Sequence, residues 1–500
     1  MAPVTLLWLT FGLPLAGGVI ALVADAWTRR RLAVVAAALG MAAGGAEALW
    51  AGWAVTPAPV YDVLMVGRAF STIPGVVLLL AALVTAAGVR ESGSRESVSA
   101  GLVALGATGA GLAAASIDLT TLLLSLETAA VCGYALVALA RTAPAAEAAM
   151  KYLIQGAVAT GVALLGLAGL LGATAHSGRY AELVPAIREL DAAASSPALL
   201  GAVLIAAALA FKASAAPFHS WAPDAYQTAP ARNAAFLAAG PKLAALAALS
   251  LFVAAFGPAG ASETSPLGVL GGDLLPLVGL LGAVSVVVGS VAALRQRSYA
   301  RMLGYAGVAQ AGYALIALSA VNAPAALILG VTYAVATAGA FLGGEALRTA
   351  KPDWDGTIEG LGGLGSRAKL ASLALTLCMV SLAGLPPLAG FWGKFQSIGA
   401  VIYSARDAAG AQMTSLAWFY GALAFVAIAG SVVSLAYYGS VLSSLYFGGD
   451  DAEDGARDGA GEDVREASFY PLIAALVLLA AGVAPLIIGL APAVQGFLLN

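Results

Sequence analysis

Fourteen apolar runs, each about as long as a bilayer crossing, limit what this chain can fold into more than any motif does. They lie at roughly 4 to 24, 32 to 55, 70 to 89, 98 to 116, 119 to 139, 148 to 172, 198 to 217, 233 to 256, 268 to 293, 302 to 319, 324 to 347, 369 to 404, 414 to 447 and 470 to 497. A membrane-spanning helix needs about 20 mostly apolar residues, whereas a barrel strand alternates over about 10. Only 10% of the 500 residues are charged, against about 25% in soluble domains. The chain therefore reads as an all-α polytopic membrane protein of about fourteen transmembrane helices. Its first run follows Met1 without a basic leader and is read as a retained span.

Two runs are interrupted. The seventh ends in Phe211-Lys212-Ala213-Ser214-Ala215-Ala216-Pro217-Phe218-His219-Ser220-Trp221-Ala222-Pro223-Asp224, and the twelfth carries Gly384-Leu385-Pro386-Pro387 at its middle. Proline removes a backbone donor and breaks the helical ladder, so the freed carbonyls must find partners in protein or water. The two broken helices are five runs apart. Five runs also separate Cys132-Gly133-Tyr134-Ala135-Leu136-Val137-Ala138-Leu139 from the similar Ala311-Gly312-Tyr313-Ala314-Leu315-Ile316-Ala317-Leu318. An odd spacing turns the copies opposite ways across the bilayer, which predicts two inverted five-helix repeats with the transport path between them. The expected organisation is helices 1 to 3 in 1–97, a first repeat in 98–256, a second in 266–447, an acidic cytoplasmic loop in 448–468 and a last helix in 469–500.

Basic residues set the orientation. Of the 24 Lys and Arg, sixteen fall in one set of alternate loops, among them Arg29 to Arg31, Arg90, Arg95, Arg295, Arg297, Arg301 and Arg457, and four in the other set, Arg68, Arg179, Arg188 and Arg406. The positive-inside rule puts the first set in the cytoplasm and both termini outside. The remaining four lysines, Lys151, Lys212, Lys242 and Lys394, fall within the predicted spans.

Ionisable groups inside a bilayer are expensive and mark ion paths. Glu127 lies near the centre of the fifth span, and Lys212, at compatible depth, is its natural counter-ion. The pair reads either as a switch, in which withdrawing the acid favours proton release, or as a static ion pair. Lys242, beside Pro241, has no acid near it in sequence; it reads as a proton carrier or as a lysine bonded to free carbonyls. Lys394 follows the second break and reads as an exit station or as a side chain snorkelling to the outer interface. Lys151 sits next to Glu147 close to the cytoplasmic face, where snorkelling competes with function. His219 is able to relay protons between Lys212 and Lys242, or to satisfy broken-helix carbonyls. Glu47 and Glu345 have no derived role. The two cysteines, Cys132 and Cys378, form no close pair for zinc or an iron–sulfur cluster, so redox and metal chemistry is expected in other proteins and not in this chain.

Taken together, Asp118-Leu119 through Glu127, Ala149-Met150-Lys151-Tyr152, the Phe211 to Asp224 string, Gly240-Pro241-Lys242, Arg301-Met302-Leu303-Gly304-Tyr305 and Gly384-Leu385-Pro386-Pro387 through Gly393-Lys394-Phe395 resemble the N-type antiporter-like membrane subunit of respiratory complex I, the proton-pumping NADH–quinone oxidoreductase. The resemblance implies a polar axis in the membrane plane, with Glu127 and Lys212 as coupling pair, Lys242 as central site and Lys394 as terminal site. It implies a translocase subunit with no catalytic redox centre, with FMN, iron–sulfur clusters and quinone held by partner subunits. Other membrane-arm subunits and the lipid of a bacterial plasma membrane would surround it, and nucleic acid would not. Gln310 stands where many relatives carry a titratable histidine, and Ala231-Arg232-Asn233 is more charged than usual. The D-type subunit of Mrp cation/proton antiporters is a competing resemblance, as are the equivalent subunits of a membrane-bound hydrogenase or a coenzyme F420-linked dehydrogenase. The L-type subunit is disfavoured, because the sequence stops at Asn500.

Overall fold

The computed structural model describes residues 3–25, 30–89, 94–190, 192–256, 266–448 and 461–488. Helices α1 (Pro3–Leu7) and α2 (Leu13–Asp25) are joined by a π-helical turn, Trp8–Gly12, and α3 (Arg30–Ala54) packs against them. A small antiparallel hairpin of β1 (Ala58–Val60) and β2 (Leu64–Val66), with Ala58 opposite Val66, leads into α4 (Ala69–Ala86). Then follow α5 (Ser94–Ala115), α6 (Leu119–Ala138), α7 (Ala143–Thr174), α8 (Tyr180–Arg188), α9 (Ala192–Lys212), α10 (Trp221–Thr228) and α11 (Ala231–Phe256). The remainder comprises α12 (Pro266–Leu294), α13 (Tyr299–Ser319), α14 (Ala323–Ala350), α15 (Leu364–Arg367), α16 (Lys369–Ala383), α17 (Ala389–Gly410), α18 (Thr414–Phe447), α19 (Gly461–Ala467) and α20 (Phe469–Ile488).

Among the described residues, thirteen helices are long and apolar enough to cross a bilayer. The twelfth run is divided between α16 and α17, which together complete the fourteen. Helix starts follow local chemistry. Asp118 accepts from the Thr121 N–H at 2.7 Å, Thr142 and Asn322 cap α7 and α14 the same way, and Pro144 and Pro324 occupy first turns where no donor is lost. That cap starts α7 at Ala143, before the apolar run itself begins. Gly384, at φ 82°, ends α16 in the left-handed conformation that only glycine enters without strain.

Short helices also form in stretches read as loops or breaks. The loop carrying Arg179 and Arg188 holds α8, whose Leu183 and Ile187 are buried, and the Trp221 to Thr228 stretch after the first break is α10. The connector expected as one solvated acidic loop differs too: Gly461–Ala467 is helical, while residues 449–460, including Arg457, lie outside the described residues, as do Arg29, Arg90 and 489–500.

Burial ranks the helices. In α13, 94% of the spanning window is buried, against 33% in α7 and α18, so α13 is central and the other two form the rim. Lipid gives little hydrophobic drive for helix association, and close backbone approach does the work. Gly282 of α12 and Gly312 of α13 illustrate this: a Cβ on Gly312 would stand 2.6 Å from the Gly282 carbonyl oxygen, and one on Gly282 2.9 Å from that of Gly312. Overpacking of this kind costs about 1–3 kcal/mol or more. Gly312→Leu should therefore reduce the yield of folded chain in membranes and its melting temperature in detergent. Gly161→Leu, at a position where an added Cβ would meet nothing within 4 Å, should change neither, and equal behaviour of the two variants would refute the packing.

Candidate functional site

The first break places Lys212 as the last residue of α9, at the carbonyl end of the helix, where a cation is favoured. Its Nζ donates to Oε2 of Glu127 on α6 at 2.9 Å, and the Thr160 hydroxyl on α7 donates to the same oxygen at 2.6 Å. The counter-ion expected from sequence is thus in place. Its surroundings differ from expectation: the Glu127 side chain is 30% exposed and that of Lys212 10%. Glu127 lies on the flank of α6, beside exposed Leu124 and Val131, and is not sealed inside the subunit. Beyond Lys212 the chain is non-helical to Ser220, and Ser214 has φ 58°. The freed backbone groups find partners across the molecule, as membrane burial requires. The Trp221 indole donates to the Phe211 carbonyl at 3.3 Å, and the Ala216 N–H donates to Ser285 Oγ of α12 at 2.9 Å.

Lys242 is buried on α11. It donates to the Gly307 carbonyl of α13 at 2.6 Å, with its Nζ 4.8 Å from the centre of the Tyr333 ring. The carbonyl it uses is on another helix and not beside Pro241. Gly307 leaves the space for this approach, because a Cβ there would lie 2.9 Å from Nζ.

Lys394 is also buried and does not snorkel. It donates to the Ala383 carbonyl at 2.9 Å and to Ser434 Oγ at 3.0 Å, with its Nζ 5.2 Å from the Tyr313 ring centre. Ala383 is the last residue of α16, so the second break supplies the oxygen that holds this lysine. Gln310 donates to the neighbouring Leu382 carbonyl at 2.9 Å. Gln310, Thr332, Tyr333, Ser381 and Lys394 border a cavity of ≈ 10 Å³, about what one water needs. Tyr333, which stands beside Lys242, thus also borders the cavity beside Lys394.

Lys151 belongs to a separate surface cluster. Besides Glu147 at 2.7 Å it meets Asp224 at 3.2 Å, and Asp224 also pairs with Arg301 of α13 at 2.5 Å. Its side chain is 46% exposed. His219 joins neither Lys212 nor Lys242 by a hydrogen bond among the described residues; its Nδ1 makes none, and its ring lies 6.0 Å from that of Tyr305. Arg232, a departure from the family pattern, is paired with the roleless Glu345 at 2.8 Å, joining α11 to α14. Glu47 accepts from Thr10 in the π-helical turn. Thr160, Tyr333, Ser434 and Asp224 were not singled out from sequence as site residues. Hydroxyls and aromatics are ordinary in membrane helices, and only Asp224 carried a signal, its charge inside a motif.

The chain is 38% identical over 314 residues to "NADH-quinone oxidoreductase subunit N 1" of Sorangium cellulosum, a match covering 61% of this chain and 59% of that protein. The match thus spans somewhat under two thirds of the curated relative. A chain in the structure of respiratory complex I from Thermus thermophilus with bound Aureothin is 30% identical, with a TM-score of 0.74 over 96% of this chain and 99% of that one. A chain of the Mrp complex from Dietzia sp. shares the fold, at 20% identity and a TM-score of 0.77 over 100% and 98%. Residues 116–417, the stretch that holds the ion pair, both breaks and all four intramembrane lysines, match the family described as NADH:quinone oxidoreductase/Mrp antiporter, TM, and the chain belongs to that family.

Proposed function

We propose that this chain is a proton-translocating membrane subunit of an NADH–quinone oxidoreductase, coupling electron transfer in partner subunits to proton export. The observation that carries the reading is the chemistry around the lysines. Lys212 faces a carboxylate, whereas Lys242 and Lys394 face only carbonyls, a hydroxyl and aromatic rings. A carboxylate holds an ammonium, but a carbonyl accepts a hydrogen bond from an amine and an ammonium alike. Lys212 is then the member whose charge is set by Glu127, and the other two are free to exchange a proton while keeping their hydrogen bonds. Movement of Glu127 at the α6 flank would release Lys212, and protons would pass by Lys242, Tyr333 and the small cavity to Lys394. Lys151 and Asp224 would serve at the margin of this path, and His219 near its break.

A five-helix repeat is supported by recurring neighbours: α5 with α6, α6 with α7, α7 with α9 and α5 with α11 correspond to α12 with α13, α13 with α14, α14 with α16 and α12 with α18, and its inversion rests on the odd spacing of the copies. The chain itself takes no part in redox chemistry in this reading. Its neighbours are other membrane-arm subunits in a bacterial plasma membrane, with both termini outside. FMN, iron–sulfur clusters and quinone belong to partners.

In membrane vesicles containing the whole complex, Lys212→Ala and Lys394→Ala should each reduce NADH-driven acidification to the uncoupled baseline, with electron transfer slowed. Full pumping in both variants would sink the assignment. The family's description also names the Mrp antiporter, and a reading as a cation/proton antiporter makes a different prediction. Sodium-dependent proton exchange without NADH, together with intact NADH-driven quinone reduction after deletion of the chain, would favour it.

A further inference from the structure

A donor close to the Glu127–Lys212 pair has nothing to bond. Tyr134 lies two turns after Glu127 on α6, and seven residues bring a helix back to nearly the same face. Among the described residues its hydroxyl is buried without a hydrogen-bond partner. Helical side chains lean toward the N-terminus, which turns this phenol back toward Glu127, and α7 shows by how much. A Cβ on Gly156 of α7 would stand 2.0 Å from the Tyr134 hydroxyl, whereas Glu127 is bonded by Thr160, one turn further along the same helix. Four residues of α7 span about 6 Å along the axis, against about 10 Å between the two levels on α6. Glu127 is near enough for its charge to act on the phenol.

The hydroxyl is also held in place. The Tyr134 ring meets Tyr152 of α7 edge-on, with ring centres 4.6 Å apart, and Tyr152 stacks on Trp221 of α10 at 4.0 Å. These contacts account for an aromatic ring but not for its oxygen, since phenylalanine would pack the same way and a buried hydroxyl without a partner is costly. In the similar octamer the matching tyrosine, Tyr313, also stands beside an ionisable group, its ring centre 5.2 Å from Lys394 Nζ. Glu127 has the converse need. Lys212 and Thr160 both bond a single oxygen of it, Oε2. A carboxylate only accepts hydrogen bonds, so leaving that seat strands a charge unless another donor receives it.

We propose that the Tyr134 hydroxyl is a second seat for Glu127, the donor that receives the carboxylate when it swings away from Lys212 and Thr160. Only hydrogen bonds are exchanged in the swing. The inference rests on the pumping role proposed above, and the test separates the two. In vesicles with the intact complex, Tyr134→Phe should lower the protons moved per electron to the value of Glu127→Gln. The double variant should be no worse than either single one, because both changes abolish the same movement. The hydroxyl has no resting contact to lose, so Tyr134→Phe should assemble as well as the wild type. Reduced assembly would give the oxygen a structural bond and overturn the proposal, as would a double variant worse than both single ones. A wild-type ratio in Tyr134→Phe or in Glu127→Gln overturns the second seat and leaves the pumping role standing. Full pumping by both Lys212→Ala and Lys394→Ala overturns the pumping role and the second seat with it.

Discussion

A helix inside hydrocarbon has nowhere to leave an unbonded carbonyl, and the site in this protein is built from the places where helices nonetheless end there. At the second break, the Leu382 and Ala383 carbonyls at the end of α16 are taken by Gln310 and Lys394. At the first, Phe211 O is taken by Trp221, and the chain beyond Lys212 is held by Ser285 from α12. The arrangement is reciprocal. The buried amine needs oxygens, the broken helix needs donors, and each supplies what would otherwise be missing. Each break also contains a cis X–Pro bond, Ala216-Pro217 and Pro386-Pro387.

The lysines are alike in sequence and unlike in setting. Lys212 has a carboxylate, Lys242 one carbonyl and a ring, Lys394 a carbonyl, a hydroxyl and a ring, and Lys151 two acids at the surface. Exposed pairs such as Lys151 with Glu147 contribute little to stability. The buried lysines matter more, because removing a partner in a low-dielectric setting leaves a charge or a dipole without compensation. The gradation from paired to neutral surroundings gives the row of lysines its chemical sense.

Much of this was legible in the chain. Spanning runs, broken helices and the four intramembrane lysines are visible because lipid makes charge and proline conspicuous. The pairing of Lys212 with Glu127 could be argued from depth alone. Thr160 could not, since a threonine at that position has no compositional signal, nor could the meeting of Arg232 with Glu345, which depends on how α11 and α14 pack. The exposure of Glu127 escaped for the same reason: depth in a bilayer can be read from a sequence, but which way a helix faces within its bundle cannot. Helix α10 was hidden by Pro223 within it and Pro217 before it, and α8 by its shortness.

Two salt bridges among the described residues cross between the stretches 98–256 and 266–447, Asp224 with Arg301 and Arg232 with Glu345, and have a mechanical meaning. With the Lys242 to Gly307 and Ala216 to Ser285 hydrogen bonds they tie the two stretches at four points, on the first break, α10 and α11. A carrier that rocks one half against the other would have to shear all four at every cycle. Reorientation of single side chains, by contrast, would leave all four in place.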